Sequence, residues 1–481
     1  MTSLNNQHQR PHIAVALQAF DHYAAYREPA LRHRRFKHSD IVPLLERLKQ
    51  QPLFEVQEVG RSVEQRTIYM VKAGQGPTKI MLWSQMHGDE PTATMALFDL
   101  FNFLQQSDQL DPVRRQILEQ TTLYIVPMLN PDGAEKYKRR NALEIDLNRD
   151  ALRLRSPEAR LLKNLCDSLQ PAFGFNLHDQ SPLYTAGASS KPATISFLAP
   201  AYDEAQTVNT VRKSAMQVIA GMDAALQQLI PGQVAKFSDE HEPRAFGDNI
   251  QKWGTSVILI ESGGYHGDPE KQYIRQLNFA AIVSALHLFT EESYTKYTVE
   301  AYNSIPINKP HLFDLVIRQV RYTQAGHTVL LDVGINREEV NAPNAKEFYH
   351  RSTVQEIGDM RIFHGYEEID GEGLLLEPGN VCPTLFASID AITTEQALDL
   401  LRAGYTTVRV ASLPPADQDP LQLPFNVTSL AAEADHRLHM EGGANFILKS
   451  ADGQIRYVIV NGFVYGAQTT ELPALFHGLI L

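Results

Sequence analysis

Three apolar runs in the first 300 residues each lead into a residue able to bind a metal or move a proton, and helical segments separate them. Ile80-Met81-Leu82-Trp83 stops at Ser84-Gln85 and is followed by His87-Gly88-Asp89-Glu90. Residues 172–177 run into His178-Asp179, and residues 255–260 run into Glu261-Ser262-Gly263-Gly264. Short continuous apolar runs bounded by turn residues predict strands buried on both faces. Beyond Pro91 the period changes, with Ala93, Met95, Ala96, Leu97, Leu100 and Phe101 at helical spacing. A proline suits the first turn of a helix, where the missing N–H costs nothing. Strands alternating with helices predict an α/β fold: a mixed, mostly parallel sheet with helices on both faces. In such sheets, polar groups at the carboxyl ends of several strands converge on one crevice.

The rest of the first 300 residues fits the same pattern. A helix is predicted over 39–50, a hairpin-like pair of strands over 54–59 and 67–73, and a helix over 92–105. A further buried strand over 121–127 ends in Asn130-Pro131-Asp132-Gly133, a strong turn signal. Helices are expected over 157–169, with Pro157 at the first position, and over 203–229 and 270–291. Residues 1–35 are polar and rich in Arg and His, and predict a solvated arm or outer helix.

After residue 300 the texture becomes β-rich. Runs at 312–320, 328–333, 373–376, 405–410, 444–449 and 455–460 predict strands, with one helix over 394–402 and a hairpin turn at Asn461-Gly462. The expected organisation is an arm (1–35), a catalytic domain (36–300) and a smaller β-rich accessory domain (301–481).

The 481 residues, 43% hydrophobic and 21% charged, have the composition of a soluble globular chain. A net charge of −12 argues against nucleic acid or an anionic membrane as a principal partner. No apolar run approaches the ~18 residues of a membrane span. Cys166 and Cys382 offer neither a disulfide framework nor a thiolate metal site. The polar N-terminus leads to no signal-peptide core, so a cytoplasmic location is expected.

His87 and Glu90 lie three residues apart, close enough for an imidazole and a carboxylate to meet one ion. Zinc accepts both and leaves room for a water. Taken together with Arg139-Arg140-Asn141, Asp146-Leu147-Asn148-Arg149-Asp150 and Asn176-Leu177-His178-Asp179, the HGDE, NPDG and IESGG pieces resemble the zinc carboxypeptidase family, the M14 metallopeptidases, over roughly residues 40–295. The resemblance implies one Zn²⁺ per chain held by His87, Glu90 and His178, with Glu261 as general base. It implies a transition-state arginine at Arg139, with Arg140 the neighbouring alternative, and Asn148 and Arg149 as binders of a substrate carboxylate. The expected substrate is a peptide or small amide with a free carboxylate. Zinc-dependent deacylases of the succinylglutamate desuccinylase and aspartoacylase group are the alternative reading, and an inactive scaffold for peptide C-termini is the third.

The family's substrate-covering tyrosine has no counterpart between Lys236 and Trp253, where Glu240 to Asp248 stand instead. There Arg244 would select an acidic side chain and Asp248 a basic one, whereas Phe246 favours neither. Asp89 and Asp179 are expected to orient metal ligands or satisfy turns. In the second domain, residues 372–379 and 458–462 are similar to the β-rich flank of metal-dependent amidohydrolases. Asn380-Val381-Cys382-Pro383 replaces that family's HxH, so a structural or gating module is expected there.

Overall fold

Apolar residues on both sides of the central strands account for the architecture of the N-terminal unit. In the computed structural model, which describes residues 10–413, 424–432, 434–468 and 477–481, the strands of this unit are β1 (Phe54–Arg61), β2 (Thr67–Ala73), β3 (Thr78–Ser84), β4 (Thr121–Val126), β5 (Phe173–Asp179), β6 (Thr185–Ala186), β7 (Ile195–Leu198), β8 (Val234–Lys236), β9 (Ser256–Ser262) and β10 (Asn308–Lys309). Its helices are α1 (Pro11–Asp21), α2 (His38–Lys49), α3 (Thr92–Gln105), α4 (Asp111–Gln120), α5 (Pro131–Lys136), α6 (Pro157–Leu169), α7 (Thr210–Leu226), α8 (Phe246–Lys252), α9 (Gln272–Thr290) and α10 (Val299–Asn303).

One sheet runs in the order β1-β2-β4-β3-β5-β9-β7-β8. Its centre, β4-β3-β5-β9, is parallel throughout, whereas β1 and β2 are antiparallel at one edge and β7 runs antiparallel to β9. Alternate residues of β3 enter different cores. Ile80 and Leu82 pack with α3, α7 and α9, while Met81 and Trp83 pack with α6 and α8. A strand covered on both faces reads as an unbroken apolar run for this reason.

Several boundaries follow from capping. The Ser156 side chain accepts from Ala159 N–H, and α6 starts at Pro157. Asn209 accepts from Arg212 N–H, so α7 begins at Thr210 rather than near 203. NPDG is more than a turn: Asn130 Oδ1 accepts from Gly133 N–H at 2.9 Å, and Pro131 opens the short helix α5.

Residues 1–9 of the expected arm lie outside the described residues. From Pro11 onward the chain forms the outer helix α1 and a segment up to residue 35 that bury spaced apolar side chains and leave many polar ones exposed. Ile13 and Ala16 meet Ala225 of α7, and Ala19, Tyr23, Tyr26 and Leu31 are buried in the main core. Spaced apolar residues among many charges build that contact, and average polarity conceals them. A buried ion pair anchors it further. Arg275 of α9 donates to Asp99 of α3 through Nε at 2.7 Å and also through Nη2, and to the carbonyl of Leu31. Asp99 in turn accepts from Tyr23 Oη and Glu28 N–H, both at 2.7 Å.

The chain divides into two compact units at Pro310 and His311 rather than near residue 300. The strand β10 pairs with β6 and so belongs to the first unit. The second unit contains β11 (Leu312–Gln324), β12 (His327–Asn341), β13 (Phe348–Gly358), β14 (His364–Asp370), β15 (Leu375–Pro378), β16 (Asn380–Phe386), α11 (Thr394–Arg402), β17 (Tyr405–Val410), β18 (Asn426–Ser429), β19 (Phe446–Lys449), β20 (Ile455–Val460) and β21 (Phe463–Gly466). Its larger sheet runs β13-β12-β11-β15-β19-β20-β21, with β14 added alongside β11. A second, parallel sheet of β16, β17 and β18 carries α11 between its first two strands. Asn461 and Gly462 both have positive φ (48° and 75°), as the hairpin joining β20 to β21 requires. Among the described residues no helix is long and apolar enough to cross a membrane.

Candidate active site

The turn after β3 is held against the turn after β4 by close backbone approach. A Cβ on Gly88 would lie 1.9 Å from the carbonyl carbon of Gly133, so this approach requires glycine at position 88, whereas a Cβ on Gly133 would meet the Asn130 side chain and the carbonyls of Lys138 and Arg140. Asn130 reinforces the contact by donating to the carbonyl of Met86 at 3.2 Å. His87 and Glu90 thereby stand at the carboxyl end of β3, beside the end of β5 that carries His178.

One metal-binding atom from each of His87, Glu90 and His178 lies within 4.8 Å of the other two, and all three residues are buried. Nδ1 of His87 is 2.8 Å from Glu90 Oε1, and Nδ1 of His178 is 2.7 Å from Glu90 Oε2. The other ring nitrogen of His87, Nε2, faces Asp146 Oδ1 at 3.2 Å. Each ring nitrogen of His87 faces a carboxylate, which only accepts, so Nε2–H can donate to Asp146 when Nδ1 is offered to an ion shared with Glu90. Two imidazole nitrogens at hydrogen-bond distance from one carboxylate require protons on the rings or a shared cation among them. Two imidazoles and a carboxylate are a donor set that zinc accepts, with Asp146 as the outer partner such ligands usually have. The residues fit the ion.

The electrostatics follow from the same contacts. Burial alone would lower the basicity of His87, but the Glu90 and Asp146 carboxylates outweigh it and raise its pKa to about 9. Burial dominates at His178 and lowers its pKa, against the pull of Glu90. Glu90 itself is held well below the usual carboxylate range by the two imidazoles, although burial opposes them. Burial raises Asp89 to about 6, with the charge of Glu90 adding to the effect.

Glu261 stands on β9 directly opposite His178 of β5 in the parallel register. Its Oε2 is buried without a hydrogen-bond partner. Burial first, and then the neighbouring Glu90 charge, raise its pKa well above the ordinary value. The first glycine of the pair that follows has a packing reason: a Cβ on Gly263 would come within 2.0 Å of the Ala193 carbonyl oxygen.

Of the two candidate arginines, Arg139 reaches the cluster and Arg140 does not. Arg139 Nη1 lies 3.2 Å from Glu90 Oε1 and 3.1 Å from His87 Nδ1, and its Nε donates to Asp146 Oδ2 at 3.0 Å. Arg140 is exposed and donates to the carbonyl of Glu144.

Asn148 and Arg149 lie in a 3₁₀ turn (Leu147–Arg149) capped by Asp146, whose Oδ1 accepts from Asn148 N–H at 2.9 Å. Asn148 Oδ1 accepts from Phe246 N–H at 2.9 Å. The amide oxygen is thus used, and the NH₂ group remains to be offered to an anion. Arg149 donates through Nη1 to the Asn148 carbonyl and pairs through Nε with Glu242 at 3.2 Å.

The segment expected to select a side chain is internally satisfied. Arg244 is exposed and donates to both oxygens of Glu242, at 2.9 and 2.8 Å. Asp248 is buried, with Oδ1 accepting from Glu242 N–H and facing His241 Nδ1. Phe246 is in the core with Ile250.

The carboxylate that faces His87 Nε2 is that of Asp146, to which the sequence reading gave no role. Asp89 Oδ1 is buried without a partner. The first Asp of the DLNRD motif was the available signal, because it both caps the 3₁₀ turn and faces His87. Asp179 N–H donates to Glu90 Oε2 at 3.2 Å, and its Oδ2 accepts from Thr92 Oγ1 and Lys271 Nζ.

The sequence model of the family described as zinc carboxypeptidase matches residues 41–213, a span that includes His87, Glu90, Arg139, Asn148, Arg149 and His178 and ends before Glu261. Over 136 residues the chain is 30% identical to carboxypeptidase SOL1 of Arabidopsis thaliana, covering 25% of this chain and 28% of that protein. Over 85 residues it is 35% identical to carboxypeptidase D of Mus musculus, covering 16% of this chain and 6% of that one. The chain therefore spans less than a third of the length of either relative. A metallo-carboxypeptidase from Burkholderia cenocepacia superposes with a TM-score of 0.43 at 19% identity, covering 54% of this chain and 70% of that one. Over residues 41–213, the chain thus matches the sequence model of the zinc carboxypeptidase family.

Proposed function

We propose that the N-terminal unit is a zinc-dependent carboxypeptidase that hydrolyses the C-terminal peptide bond of substrates with a free carboxylate. The observation that carries this reading is the convergence of His87 Nδ1, His178 Nδ1 and the Glu90 carboxylate at two strand ends, beside Glu261 on the next strand.

His87, Glu90 and His178 would hold one Zn²⁺, which when bound makes a water acidic and polarises an amide carbonyl. Glu261 would accept the proton of the attacking water and deliver it to the leaving amine nitrogen. Its raised pKa and its unpartnered Oε2 support that duty. Arg139, oriented through Nε by Asp146, would stabilise the negative charge that develops on the carbonyl oxygen. Asn148 and Arg149 would receive the terminal carboxylate. The anchored amide oxygen of Asn148 supports this, since it leaves donors facing the substrate.

The test is the purified chain loaded with one equivalent of zinc and offered peptides with free or amidated C-termini and N-acyl amino acids. Release of the terminal residue from free-carboxylate peptides alone is expected. Turnover confined to N-acyl amino acids would move the site to the deacylase chemistry. No turnover of any of them with zinc bound would overturn both.

A further inference from the structure

Lys271 precedes α9 and takes the left-handed conformation, with φ of 50°. This turn lets Asp268 accept from Gln272 N–H at 2.7 Å and Tyr273 N–H at 2.9 Å, which starts the helix. It also sends the lysine side chain back toward the active site instead of into solvent. The side chains of Lys271 and Asp179 are only 10% and 7% exposed.

The ammonium makes two contacts. Lys271 Nζ donates to Asp179 Oδ2 at 3.2 Å and to the Ser262 carbonyl at 3.0 Å. Asp179 follows His178, and Ser262 follows Glu261. The two are register partners across β5 and β9. Around this cation, Thr92 Oγ1 donates to the same Asp179 oxygen at 2.5 Å, and Asn278 donates to Ser262 Oγ at 2.9 Å. Asp179 N–H in turn donates to Glu90 Oε2. One buried charge thus touches the residue after a metal ligand and the residue after the general base.

We propose that Lys271 is a positioning residue that clamps the ends of β5 and β9, setting the spacing between His178 and Glu90 on one side and Glu261 on the other. The inference rests on the carboxypeptidase reading for the role of Glu261, but its metal-binding half stands on the geometry of Asp179 and Glu90. A lysine in the left-handed region carries backbone strain that glycine does not. Lys271→Gly therefore removes the ammonium while easing the backbone, and Lys271→Met retains the apolar stem.

The experiment measures zinc affinity of the full chain by competition with a chelator, together with kcat and KM, well below the unfolding temperature. Both variants are expected to bind zinc about tenfold to a hundredfold more weakly, as loss of a supporting partner typically does, and at saturating zinc to lose kcat with KM unchanged. Unchanged zinc affinity and kcat, with only a lower Tm, would overturn the clamp and leave the carboxypeptidase reading intact. Weaker zinc binding in the variants of a wild-type chain that cleaves no peptide would uphold the clamp and overturn that reading.

Discussion

His178 and Glu261 are register partners on adjacent parallel strands, so an imidazole and a carboxylate share one end of the sheet. In Glu261→Gln the side chain keeps its volume and loses its basicity. That variant is expected to retain one zinc per chain and to lose turnover by roughly 10²- to 10⁴-fold, the usual worth of a positioned acid–base group. Metal analysis and kcat measured on the same preparation check it; full activity would sink the mechanism.

Arg149 should discriminate by the substrate's terminus. Arg149→Ala is expected to weaken peptides with a free carboxylate by roughly 10- to 100-fold in kcat/KM, in line with the loss of hydrogen bonds to a charged group. Amidated analogues should be affected far less. Equal losses for both classes would remove Arg149 from the substrate site.

Asp146 makes three contacts at once, with His87, Arg139 and Asn148 N–H. Asp146→Asn is expected to lower zinc affinity by about tenfold or more, because the tautomer of His87 is no longer enforced. Chelator competition reads the effect directly, and an unchanged dissociation constant would refute the orienting role.

The Asp99–Arg275 pair is wholly buried and ties residues 23–31 to α3 and α9. Asp99→Ala leaves an uncompensated guanidinium and should destabilise the N-terminal unit by about 3–5 kcal/mol. Denaturant unfolding checks this; a change below 1 kcal/mol (about the scatter of surface substitutions) would contradict it.

His12 gives a pH dependence with a definite sign. Burial, with the nearby His287 and Arg10 adding to it, lowers its pKa from 6.5 to about 4. The folded state therefore disfavours the protonated form that the unfolded chain takes up below 6.5. Its contribution to stability is intact above pH 6.5 and is lost as pH falls toward 4, by roughly 3 kcal/mol in all. Thermal unfolding between pH 7 and 4 should fall less steeply in His12→Gln than in the parent.

Much of the N-terminal sheet was legible because its strands are covered on both faces and stand out as unbroken apolar runs. Helices 92–105 and 157–169 were legible from period and proline. Helices α4 and α8 were not, since short segments with few apolar residues carry little periodicity. The packing of residues 11–35 is not legible in the sequence for a related reason: its partners, Asp99, Ala225 and Arg275, lie 70 or more residues away.

The alternation of strands and helices and the placement of His87, Glu90, His178 and Glu261 at or just beyond strand ends can be read from the chain alone, because local period and turn chemistry are written in neighbouring residues. Folding in three dimensions separates Arg139 from Arg140, gives the His87 contact to Asp146, engages Arg244 and Asp248 within their own loop, and brings Lys271 to both strand ends. Each of those depends on where a side chain meets residues distant in the chain, and spacing along the chain carries no information about that distance.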